Sequence, residues 1–270
     1  MPRDCLSITI MDTLVARLQD TLSSDQATRD AAEQYLAHEM LPKSRTDDVL
    51  GVQLSQILSE PSLSLFVRQA AAIALKKYVR KRWSIFFDTF TQDMVVNGIV
   101  QTVDATPVEA KEHIRTSLLA CLCDAEPKVR SQASDILSLI SSCDFPDHFP
   151  QLLPTLQGYL HSYTEQDAHA AYKVHGAMKF LLDLVHVELD ENQLLMVAQQ
   201  LVPLLQGIVS SSSDLITPHT RARCINVFHQ CLISLYMAKD TYADTVHMVT
   251  THYLPPWLQG MQVLLSPDFF

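Results

Sequence analysis

The stretches TRDAAEQYL (Thr28–Leu36) and VRQAAAIAL (Val67–Leu75) decide the fold of this chain. Each pairs a threonine or short apolar residue with arginine at the head of an alanine-rich amphipathic segment. The pattern returns as VRSQASDIL (Val129–Leu137), VHGAMKFLL (Val174–Leu182) and TRARCINVF (Thr220–Phe228). The starts lie 39, 62, 45 and 46 residues apart, and three of these intervals sit at or close to the ~40–47 residues of a HEAT or armadillo unit. The long interval leaves room for an insertion over Ser84 to Asp104. A single helix pair cannot bury its apolar face alone, so neighbouring pairs must stack. The expected fold is therefore all-α, an α-solenoid of about five HEAT-like pairs plus half of a sixth, wound as a right-handed superhelix.

Breakers between the periodic segments set the expected pairs: Thr13 to Ser23 with Asp25 to Met40; Thr46 to Leu58 with Ser62 to Trp83; Pro107 to Cys123 with Pro127 to Cys143; Phe149 to Tyr163 with Ala168 to Glu188; and Glu191 to Ser210 with Pro218 to Met237. Asp25 is placed to cap the second helix, because a carboxylate there satisfies free amides of the first turn. Pro127 suits a first helical position, where its missing N–H costs nothing. Apolar spacing assigns Ala27, Ala31, Tyr35, Leu36 and Met40 to one inward stripe, and Phe66, Ala70, Ile73, Ala74 and Val79 to another. The insertion is expected to be irregular, with one extra helix over Gln92 to Val103. A sixth first-helix is expected from Tyr242 past Pro255-Pro256 towards Leu265. With no polar capping repeat after it, the chain reads as the N-terminal piece of a longer array. Its apolar end is expected to drive self-association at high concentration.

Composition narrows the function classes. Thirty acidic against twenty basic residues give a net charge of −10, which opposes general nucleic-acid binding through displaced counterions and suits basic partners. No stretch reaches the ~18 apolar residues of a membrane span, and the N-terminus lacks a signal-peptide core. Six scattered cysteines without a CxxC pair point to free thiols in a reducing compartment. Cys121 and Cys123 point to different faces of a helix, and His161, His169 and His175 lack metal-ligand spacing, so neither metal nor cofactor is expected. Six glycines form no phosphate cradle or nucleophile elbow. An enzyme built on Cys123 or His169 is the distant rival to a binding scaffold.

Two blocks carry a family resemblance. LVARLQDTLSSDQATRDAAEQYLAHE (Leu14 to Glu39) and VRQAAAIALKKYVRKRW (Val67 to Trp83) resemble the opening repeats of importin-beta-family nuclear transport receptors, whose second repeat runs from an arginine through alanines to a basic cluster and tryptophan. GVQLSQIL (Gly51 to Leu58), DFPDHFPQLLPTL (Asp144 to Leu156), VHGAMKFLLDL (Val174 to Leu184) and HTRARCINVF (His219 to Phe228) are similar to the importin-nine branch of that family. The resemblance implies importin-beta N-terminal repeats over 1–83 as a Ran-binding region, an insertion over 84–104, and further repeats over 105–270. It implies a nuclear import receptor that shuttles between cytoplasm and nucleus, with Ran-GTP, nucleoporins and basic cargo such as core histones and ribosomal proteins as partners. A HEAT scaffold outside import, or an export receptor, is the alternative.

Site residues follow from the two readings together. Second helices would line the concave face, which makes Asp30, Glu33, Lys76, Lys77, Arg80, Lys173, Lys179 and Asp183 the candidates for Ran contact. The recurrent Arg29, Arg68, Arg130 and Arg221 are expected to form a structural ladder, each pairing with an acidic neighbour in the next repeat; His175 interrupts it. Trp83, Phe86 and Phe87 are expected to fill the junction after the second repeat rather than anchor a partner.

Overall fold

The protein was analysed as a computed structural model, which describes residues 3–41, 49–85, 87, 89–90, 93–96, 99–102, 106–165, 168–186, 190–237, 239–241 and 243–264. Two compact units emerge, Met1–Cys143 and Asp144–Phe270.

The first unit begins with α1 (Arg3–Asp20) and α2 (Gln26–Glu39), followed by α3 (Leu50–Ser59) and α4 (Leu65–Arg82). The antiparallel strands β1 (Asp93–Val96) and β2 (Ile99–Thr102) come next, then α5 (Val108–Cys121) and α6 (Pro127–Asp144). Within a pair, α3 packs on α4; between pairs, α3 packs on α5 and α1 on α4. Local chemistry sets the boundaries. Asp25 caps α2 by accepting from the Thr28 amide at 2.9 Å, and Ser64 caps α4 by accepting from Val67. Before α6, the turn is held by the Asp124 carboxylate, which accepts from the Glu126 amide at 2.9 Å.

The insertion departs from expectation. Instead of a helix over Gln92 to Val103, its described residues pair in register, Asp93 with Thr102 and Val96 with Ile99. The cause is local: Val95, Val96, Ile99 and Val100 are β-branched, and such side chains favour a strand over a helix.

Two predicted stripes also need correction. On α4 the buried row is Val67, Ala70, Ala71, Ala74, Leu75, Tyr78 and Val79, while Phe66 is 66% exposed and Ile73 53% exposed. On α2, Ala32, Leu36 and Met40 are buried, Tyr35 is half-buried, and Ala27 and Ala31 face out. On both helices apolar residues lie on the exposed as well as the buried side, so periodicity alone left the buried face open.

The second unit holds α7 (Leu152–His161), a 3-10 turn (Ser162–Thr164), α8 (Ala168–His186), α9 (Glu191–Ser210), α10 (Pro218–Met237), α11 (Ala243–Met248) and α12 (Leu254–Leu264). First helices stack on first helices (α7 on α9, α9 on α12), and second on second (α8 on α10). Asp190 and Gln193 form a reciprocal capping box at the head of α9. The same Gln193 donates from Nε2 to the Phe145 carbonyl, beside a cis Phe145–Pro146 bond. The sixth first-helix is broken between α11 and α12 by a π-helical turn, Val249–Tyr253. Pro255 and Pro256 withdraw two donors and crowd the carbonyls one turn back, and the helix widens there. The predicted ends at Thr46, Glu188, Tyr242 and Leu265 lie outside the described residues.

Candidate partner-binding groove

A groove of about 560 Å³ opens in the first unit between the second helices α2 and α4, with Gln132 of α6 at one end. Its wall on α2 is Glu33, Leu36, Ala37 and Met40, extended by Thr21 and Leu22. Its wall on α4 is Phe66, Gln69, Ala70, Ile73, Ala74, Lys77 and Lys81. Phe66, Ile73 and Lys77 are spaced i, i+7 and i+11, so 3.6-residue periodicity sets them on one line along the helix. The lining is mostly apolar, and its charged groups are one carboxylate on the α2 wall and two ammonium groups on the α4 wall.

The predicted contact residues separate here. Glu33 and Lys77 both line the groove, from α2 and α4 respectively. Lys76 instead points to α6, where Nζ lies 3.6 Å from Asp135. Arg80 is exposed beyond the groove lining, and its carbonyl accepts from Thr89 Oγ1 at 2.8 Å. Asp30 is exposed on α2 and accepts from Gln26 Nε2 at 2.6 Å. The remaining three lie on α8 of the second unit. Lys173 reaches Glu165 at 3.4 Å, and Lys179 donates to both carboxylate oxygens of Asp183. On α10, burial lowers the pKa of Arg223 while the Asp183 charge opposes that shift.

The recurrent arginines share a position and differ in partners. Arg29 donates to the Ser23 carbonyl. Arg130 donates to the carbonyls of Asp124 and Ala125. Arg221 donates to those of Val209, Ser211 and Ile216. All three therefore fasten the turn between the two helices of their own pair, where carbonyls lack helical partners. Arg68 bonds the Leu58 carbonyl at 2.8 Å and also forms an ion pair with Asp124, in the turn of the next pair. His175, in place of an arginine, shares a 2.6 Å hydrogen bond with Thr220 of the following repeat.

Trp83 is fully buried at the junction, with Lys111 Nζ 5.1 Å and the Arg115 guanidinium carbon 5.8 Å from its ring centre. Phe86 lies outside the described residues; Phe87 is half-buried. Among the described residues no group of three histidine, cysteine or acidic side chains could hold a metal ion. No described helix is long and apolar enough to cross a membrane. Sequence reasoning missed Phe66, Ile73 and Lys81 as groove residues. The signal was present in their i, i+7, i+15 spacing, but an alanine-rich helix hides it.

Comparison with known proteins places these elements. Residues 32–124 match the family description "Importin-beta N-terminal domain". Importin subunit beta-5 of Schizosaccharomyces pombe is 29% identical over 74% of this chain and 19% of its own length. Importin-9 of Drosophila melanogaster is 22% identical over 91% of this chain and 22% of its own length. Exportin-2 of the same fly is 26% identical over 53% of this chain and 13% of its own. The chain thus spans about a fifth of the first two relatives' length. Among solved structures, the Kap95:Nup1 complex matches 96% of this chain and 27% of that one, with a TM-score of 0.68 at 18% identity. A Kap95p structure described as inducing the switch loops of RanGDP to adopt the GTP-bound conformation matches 96% of this chain and 26% of that one, at TM-score 0.60 and 15% identity. The fold is that of the HEAT-repeat solenoids.

Proposed function

We propose, from the premise that this chain belongs to the importin-beta family of nuclear transport receptors, that it is the N-terminal arm of an import receptor of the importin-nine type. The arm engages the GTPase Ran in its GTP state, and the protein carries basic cargo such as core histones and ribosomal proteins past nucleoporins, shuttling between cytoplasm and nucleus. The observation that carries the reading is the position of the family match. Residues 32–124 take in the second half of α2 and all of α4, and so the α2 and α4 residues that line the groove holding Glu33 and Lys77. The neighbour described with Ran and the neighbour described with a nucleoporin support the same partners. The work is binding and release without bond chemistry: Ran-GTP and cargo each change the other's affinity by the same factor.

The likeness to Exportin-2 over half of the chain favours one second reading, an export receptor. The two differ in the sign of the linkage. In an importer Ran-GTP weakens cargo binding, and in an exporter it strengthens it. The direct test is the affinity of the protein for Ran loaded with a non-hydrolysable GTP analogue against Ran-GDP. Clear preference for the GTP form is expected; equal or absent binding would remove the transport reading.

A further inference from the structure

We draw no further inference here: the strongest candidate, the apolar end of α10, where Tyr236 lines a hollow of about 170 Å³ with Val246 of α11 and Ile233 and Met237 lie exposed, carries nothing, because nothing in the structure shows what covers it.

Discussion

At residue scale the first unit depends on two positions with little tolerance. Gly51, on the first helix of the second pair, faces the Tyr78 ring so closely that an added Cβ would sit 2.4 Å from Cε1 and 2.9 Å from the Ile114 side chain. Tyr78 cannot withdraw freely, because it is buried and its hydroxyl shares a 3.1 Å hydrogen bond with Thr106. Gly51→Ala is therefore expected to destabilise by about 1–3 kcal/mol, the range for overpacking a filled core, measured as a lower urea midpoint at unchanged slope. Arg68 is the second such position. It is 3% exposed, and its partner Asp124 is 14% exposed. Removing one member of such a pair strands the other charge, so Arg68→Ala should cost roughly 3–5 kcal/mol. Because the guanidinium also holds the Leu58 carbonyl, Asp124→Asn is expected to cost less. A double-mutant cycle that returned no coupling between the two residues would contradict the bridge.

At element scale the caps determine where helices start. The Asp25 carboxylate accepts from both the amide and the hydroxyl of Thr28. These bonds favour the charged form, and they hold its pKa below the usual 3.8. A pKa lowered on folding contributes stability at pH above the unfolded value, and that contribution is lost as pH falls through the lower folded value. Asp25→Ala is accordingly expected to speed amide exchange at the head of α2 at neutral pH. The difference from wild type should vanish in acid, once Asp25 is protonated. A difference that persists there would mean that the Asp25 side chain caps without its charge, as a neutral carboxyl. The hairpin of β1 and β2 belongs to this scale as well. Its β-branched run was legible in the chain, yet a helical period imposed on Gln92 to Val103 concealed it.

At the scale of the whole molecule, stacking buries thiols that sequence only shows as scattered. Burial pushes the thiols of Cys121, Cys224 and Cys231 up to about 12, so at neutral pH they are protonated and shielded. Cys123 and Cys143 are half-buried. A thiol reagent applied to the native protein is expected to spare Cys121, Cys224 and Cys231 and to label them in denaturant; mass mapping of labelled peptides checks it. Rapid native labelling of Cys224 or Cys231 would show that α10 does not stay packed on α8 and α9.

The chain by itself determined the helical class, the pairing of helices and most of their boundaries. These depend on local terms: apolar period, prolines at turns, and side chains that cap their own helix. Only tertiary structure decided which face of α4 turns inward. Alanine packs almost anywhere, so the orientation followed from Tyr78, Leu75 and Val79 fitting against the neighbouring helices. That left Phe66 and Ile73 outside, opposite Glu33, in a groove no linear pattern announces. The fate of the arginines was divided in the same way. Their position recurs in the chain, but whether a guanidinium meets its own turn, as Arg29 and Arg221 do, or a carboxylate 56 residues away, as Arg68 does, is set by how closely the next pair stacks.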